Sequence, residues 1–222
     1  MSTGLILASA SPRRSGLLQQ IGASFEVWPA DADESLEGAL APEIFAKQLA
    51  QKKAESVSTQ IINGNKLNRK YDDYDEYIVI GADTIVVARD GAIYGKPADG
   101  ADAKRMLQSL SGNWHEVYTG IALIALSKHD QSNSGLYRRG SVADYEATRV
   151  KMRALSCEEI DGYINTGEPG GKAGAYAIQG AGALFIERVE GCYFNVVGLP
   201  LQLLGKMLGT LGYDIFNNIV NI

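Results

Sequence analysis

The chain has 222 residues, 45% of them hydrophobic and 21% charged, with 21 Lys and Arg against 26 Asp and Glu and a formal net charge of −5. That balance belongs to a globular chain with room for one large domain or two small lobes, and its mild acidity excludes a dedicated nucleic-acid surface while leaving room for a local basic pocket. No apolar run approaches the ~20 residues that cross a bilayer, no basic and apolar leader opens the chain, and Cys157 and Cys192, far apart and without CxxC spacing, read as reduced thiols of a cytoplasmic protein.

The predicted elements alternate between strand and helix. Leu5–Ala8 is a short apolar run of the buried-strand kind, and it breaks into Ser9, Ser11, Pro12 and two arginines. Ser15–Gly22 is helical, with Leu17, Leu18 and Ile21 on one face and Gly22 closing it. Phe25–Trp28 is a short strand. Pro42 opens a helix to about Val57 with Phe45, Leu49 and Ala50 inward. Residues 63–76 are polar and read as a surface loop. Tyr77–Gly81 and Ile85–Ala88 read as two strands split by Ala82-Asp83-Thr84, and Asp90-Gly91 marks a hairpin. A helix after Pro97 carries Ala103, Met106, Leu107 and Leu110 on one face. Val117–Leu126 is a strand, 127–140 a second polar loop, and Val142–Val150 an alternating strand. Ser156 and Glu159 form a capping box, with Leu155 placed to staple onto Ile160. Leu184–Val189 and Tyr193–Leu199 read as strands paired around Glu190-Gly191, and an amphipathic helix follows Pro200. The mixture of βα units and hairpins predicts an α/β protein with a mixed sheet.

Four segments carry candidate chemistry. The LILASASPRR junction offers backbone N–H groups, hydroxyls and guanidinium groups, a combination that suits a phosphate or serves as an ordinary strand–helix turn. Gly167–Gly182 places Lys172 among six glycines, although neither the P-loop nor the dinucleotide fingerprint is present. In the same segment Gln179 either reads the polar edge of a base or faces solvent. Asp83 at a strand end is either a ligand-facing carboxylate or a turn residue. Asp33 and Glu34 follow the second strand, and two carboxylates with phosphate oxygens and waters suffice for Mg²⁺. Lys96 sits in a fixed Gly-Lys-Pro turn, and Lys53 lies on a helix as a ligand or a solvated charge. Two histidines, His115 and His129, make no zinc cluster, and His115 reads as structural. With no Cys–His pair and no GxSxG elbow, the inventory fits metal-assisted attack on a polyphosphate better than acyl transfer.

In this order ASASPRR, GADTIVV, YGKP, SGNWHEVYTG, GEPGGKAGAYAIQG and NVVGLPL resemble the Maf family of nucleoside triphosphate pyrophosphatases, from about Leu5 to Leu204. Residues 63–76 and 127–140 stand out as extra length. The resemblance implies one α/β domain over 1–222 with a mixed twisted sheet and two lobes around a deep cleft, as in the inosine-triphosphate pyrophosphatases, and commonly a homodimer. It implies Asp83 as proton acceptor and, with Glu34, as ligand of Mg²⁺ or Mn²⁺. Ser9, Arg13 and Arg14 would line the nucleotide site, and Lys53, Lys96 and Lys172 would hold the triphosphate. Arg13, Thr84 and Gln179 resemble the branch acting on dTTP and UTP. The branch preferring 7-methyl-GTP tends to carry an aromatic residue in place of Arg13 and another residue after the Asp. The alternatives are the same chemistry on 7-methyl-GTP or inosine triphosphate, or a nucleotide-binding regulator of cell division without turnover.

Overall fold

The computed structural model describes residues 2–33, 40–64, 74–128 and 136–218. Seven strands form one open mixed sheet: β1 (Thr3–Leu7), β2 (Phe25–Val27), β3 (Glu76–Val87), β4 (Ile93–Tyr94), β5 (Trp114–Lys128), β6 (Leu136–Met152) and β7 (Ile186–Glu190). Their order is β2-β1-β3-β5-β6-β7, with β4 on β3. Strands β2, β1 and β3 are parallel, and the remaining pairs are antiparallel. The helices are α1 (Pro12–Gln20), α2 (Pro42–Ile62), α3 (Gly100–Leu110), α4 (Cys157–Asn165), α5 (Tyr193–Val197) and α6 (Leu201–Thr210). The expected α/β class with a mixed sheet is what the chain adopts.

Alternation along β3 divides the core between two faces of the sheet. Ile78, Ile80 and Ala82 face α1 and α6, packing with Leu17, Leu18, Leu204 and Leu208. Tyr77 and Val79 face α2, packing with Ala50, Ala54, Val57 and Ile61. A further cluster gathers α3, α4, Val86, Val117, Val150 and Phe185 toward the other end of the long strands.

Helix α2 lies unusually close to the sheet, and small residues on both sides permit it. Ala46, Ala50 and Ala54 form a stripe at i, i+4 spacing on its buried face. A Cβ at Gly81 would meet the Ala50 carbonyl oxygen at 2.2 Å, and one at Gly120 would meet that of Ala46 at 2.3 Å. Because backbone cannot step aside as a flexible side chain can, Gly120→Ala should cost about 3 kcal/mol, the upper part of the overpacking range. Urea denaturation measures it, and an unchanged midpoint would contradict the close approach.

Five expectations are corrected. The strands split at Ala82-Asp83-Thr84 are one strand, because Ala82, Asp83 and Thr84 stay in register with Ile121, Gly120 and Thr119 of β5. Much of the loop expected at 127–140 is hairpin: Lys128 pairs with Leu136, and Arg139 is the extra residue of a bulge between Ala125 and Leu126. Tyr193–Leu199 is not a strand. It folds as α5, closed by Gly198 at φ +123°, where the Gly198 N–H returns to the Phe194 carbonyl. A short apolar run carries no decisive period, and the buried Asn195 amide bonding to Val117 and Thr148 selects the helix. Strand β7 begins only at Ile186, after a 3₁₀ turn over Ala181–Phe185, and pairs with β6. Helix α2 continues five residues beyond the expected Val57, to Ile62. The capping box at Ser156 and Glu159 and the Asp90-Gly91 turn are present.

Candidate active site

The cleft opens where β3 has no neighbour on one side. Pairing of β1 with β3 ends at Leu7 and Ile80, and pairing of β4 with β3 begins at Val86 and Tyr94. Between them, among the described residues, β3 presents an uncovered edge beyond the carboxyl end of β1, the place where α/β sheets bind ligands. Asp83 and Thr84 occupy this gap and, by strand alternation, project to opposite faces.

Ser9, Arg13, Arg14, Lys53, Asp83, Thr84, Lys96, Lys172 and Gln179 all line this one cleft, of about 350 Å³. That volume lies within the usual range for small-molecule sites. Glu34 lies outside the described residues, and so do His129 and the middle parts of both polar insertions. Asp33 is exposed and away from the cleft; its backbone carbonyl accepts from Lys52 Nζ at 3.3 Å.

Asp83 is 8% exposed and Oδ1 accepts from Lys53 Nζ, an ion pair between β3 and α2. Lys53 is thus a cleft residue and not a solvated surface charge. On the other face Arg14 is 9% exposed. Its Nε donates to the Gly198 carbonyl at 2.8 Å, Nη1 to Ser9 Oγ at 3.1 Å and Nη2 to Thr84 Oγ1 at 3.1 Å. Ser9 Oγ also accepts from the Ser11 N–H at 3.2 Å, which folds the junction around it.

The glycine-rich segment supplies the opposite wall. Burial lowers the Arg13 guanidinium and the Lys172 ammonium from their ordinary values, and the positive charge of Arg13 lowers Lys172 further. Arg13 on α1 and Lys172 on this segment are near enough to feel each other's charge, an arrangement that a polyanion would relieve. Lys96 and Gln179 are exposed at the rim, and the Gly174 N–H donates to the Gly95 carbonyl at 3.1 Å, tying the Lys96 turn to this segment.

Three residues absent from the sequence expectations complete the site: Glu168, Thr119 and Asn195. Glu168 holds the segment in shape. Its Oε1 accepts from Tyr163 Oη at 2.9 Å and the Gly182 N–H at 3.1 Å, its Oε2 from the Ala181 N–H at 3.0 Å, and its carbonyl from Lys172 Nζ. Burial alone would raise this carboxyl, but the Gly182, Ala181 and Tyr163 donors and the Lys172 charge hold it below the ordinary range. Its sequence signal is being the single acidic residue within Gly167–Gly182. Thr119 and Asn195 are both 0% exposed; they lie within the SGNWHEVYTG and NVVGLPL motifs, but nothing local there marks either side chain as part of a site.

His115 stands behind the cleft wall at the start of β5, 2% exposed, with Nε2 2.8 Å from Tyr176 Oη. Burial pushes its imidazole down to about 4 from the ordinary 6.5. The unfolded chain therefore takes up this proton first. Stability intact above pH 6.5 is lost as the pH falls toward 4, at about 1.4 kcal/mol per unit. Between pH 7.5 and 5 the expected loss is ~2 kcal/mol. His115→Gln should remove that slope in urea titrations at the two pH values, and equal slopes would exclude His115 as the source.

The donor set bears on a divalent cation. Among the described residues no group of three or more His, Cys, Asp or Glu converges. A caged zinc site is therefore not built from them. The carboxylate of Asp83 in a cleft suited to phosphate fits Mg²⁺ or Mn²⁺, which bind through one or two carboxylates and substrate oxygens while keeping waters.

Taken together, an open α/β sheet with cations on both walls and a carboxylate at its central gap defines a protein built to hold a multiply charged anion. Residues 4–211 match the family model described as Maf-like protein, and the chain belongs to that family. It is 47% identical over 215 residues to a dTTP/UTP pyrophosphatase of Acetivibrio thermocellus, covering 97% of this chain and 98% of the relative. Proteins of the same name from Caldicellulosiruptor bescii and Gloeobacter violaceus are each 45% identical, covering 95% and 97% of this chain and 96% and 100% of those relatives. Among the described residues no helix is long and apolar enough to cross a membrane.

Proposed function

We propose that this chain hydrolyses nucleoside triphosphates, dTTP and UTP foremost, to the monophosphate and pyrophosphate. The observation that carries the reading is the convergence of Asp83 with Arg13, Arg14, Lys53, Lys96 and Lys172 on one cleft at the uncovered stretch of β3. The relatives named above support the choice of bases.

In this reading the triphosphate lies between the Ser9–Arg14 junction and the glycine-rich wall. Asp83, with Lys53 on Oδ1, takes a proton through Oδ2 from the water that attacks the α-phosphorus. The bond from that phosphorus to the bridging oxygen of the β-phosphate breaks, and pyrophosphate leaves. Arg13, Arg14, Lys96 and Lys172 hold its charge, so positioning and electrostatics supply most of the rate. Gln179 at the rim meets the base. Asp83 and Glu34 are the residues we assign to Mg²⁺ or Mn²⁺, which when bound neutralises phosphate oxygens and polarises the α-phosphate. The whole chain would form one two-lobed unit acting as a cytoplasmic homodimer, with Cys157 and Cys192 as reduced thiols.

Pyrophosphate release with Mg²⁺ from dTTP, UTP, CTP, GTP, 7-methyl-GTP and inosine triphosphate tests the reading. Release from dTTP and UTP is expected. Release from another base alone would keep the chemistry and overturn the choice of bases, and no turnover by folded protein would overturn the reading itself.

A further inference from the structure

A buried chain of hydroxyls runs from the cleft into the core, and its direction is fixed. Thr119 Oγ1 donates its one proton to the Asn195 carbonyl at 3.0 Å. In the 2.9 Å contact between Thr84 Oγ1 and Thr119 Oγ1, the proton must therefore come from Thr84. Thr84 Oγ1 in turn accepts from Arg14 Nη2, and a guanidinium can only donate. The order is thus Arg14, Thr84, Thr119, Asn195 carbonyl, with each hydroxyl proton committed. Helix α5 supplies the far end of the chain and also, through the Gly198 carbonyl, the acceptor for Arg14 Nε. That short helix is itself fixed, because Asn195 Nδ2 donates to the Val117 carbonyl and to Thr148 Oγ1, both at 2.9 Å. Arg14 is held at two points by one element, directly at Nε and through two threonines at Nη2.

We infer that Thr119 and Thr84 are positioning residues that aim Arg14 at the substrate's phosphates, so that the buried hydroxyl at 119 sets phosphate affinity without touching the ligand. The inference rests on the nucleoside triphosphate reading above and adds a phosphate-aiming role to Thr84, which the sequence groups with Arg13 and Gln179. Thr84 Oγ1 has no proton left to donate, and its second lone pair stays open to a donor in the cleft. The hydroxyl of Thr119, 0% exposed, cannot reach a ligand and acts only through its neighbour.

The test compares Thr119→Val, Thr84→Val and Thr119→Ser with the wild-type protein, using steady-state kinetics on dTTP, UTP and CTP and calorimetric titration with pyrophosphate, which has no base. Valine keeps the shape and removes the hydroxyl. Thr119→Val and Thr84→Val should each raise the KM for dTTP and UTP and the Kd for pyrophosphate by a common factor, roughly fivefold to tenfold, as for one misaligned charged hydrogen bond. In Thr119→Val the ratio of kcat/KM between dTTP and CTP should stay unchanged, and Thr119→Ser should restore wild-type binding. Pyrophosphate affinity unchanged in both valine variants overturns the inference. A changed base ratio in Thr119→Val without a changed pyrophosphate Kd also overturns it, because the threonine pair would then act on the base and not on Arg14. Should Thr119→Val fail to fold, Thr84→Val carries the same comparison at the half-buried cleft position. The titration needs no turnover, so an inactive wild-type protein would sink the pyrophosphatase reading and leave the relay to be judged by the pyrophosphate Kd.

Discussion

Replacing Asp83 by Asn lowers kcat by at least ~10²-fold, the loss expected when a positioned base is removed. The fold should survive. The amide has the volume of the carboxylate, its oxygen still accepts from Lys53 Nζ, and the β3 backbone pairing with Gly120 is untouched. What disappears is a carboxylate oxygen able to take a proton, together with the negative charge set among the cations of the cleft. The KM for dTTP should move much less than kcat, since the phosphates are held by Arg13, Arg14, Lys96 and Lys172. Stopped and steady-state pyrophosphate assays on protein with a wild-type melting curve give the result, and retained kcat would remove Asp83 from the reaction.

Glu168→Gln has the opposite signature. Its carboxylate receives three donors, and an amide nitrogen in place of either oxygen sets N–H against the N–H of Ala181 or of Gly182. The segment between residues 168 and 182, which carries Lys172 and Gln179, is then no longer held at both ends. Space is already tight there: a Cβ at Gly180 would meet Glu168 Oε1 at 2.4 Å. The expected outcome is a KM for dTTP raised at least ~10-fold, about 1.4 kcal/mol of lost binding, with kcat within a few fold of wild type. A weaker preference for dTTP over CTP should accompany it, because Gln179 follows the segment. Unchanged KM and preference in a folded variant would show that the clamp is dispensable.

Local chemistry marks several features of this chain in the sequence itself. The strand–helix junction at Ser9–Arg14 is written in an apolar run followed by hydroxyls, a proline and arginines. The capping box at Ser156 and the face of Ala103, Met106, Leu107 and Leu110 are periodic or short-range signals, and they fold as expected. The residues expected to line the nucleotide site fall in one cleft because each belongs to a compact motif with its own chemistry.

What lay beyond the motifs depended on partners far along the chain. A strand reading that breaks at Ala82-Asp83-Thr84 leaves Asp83 as either a ligand-facing carboxylate or a turn residue, yet β5 carries the strand straight through it, and Gly81 is there to admit helix α2. Tyr193–Leu199 had no decisive period, and Asn195, 78 residues from Val117, selected helix over strand. Glu168 and Thr119 show the same division for function. The residue types that can bind phosphate are local properties, legible one motif at a time. Which hydroxyl aims which guanidinium, and which carboxylate ties a loop closed, is decided by hydrogen-bond direction among groups 13 to 76 residues apart, and only the folded sheet brings those groups within reach.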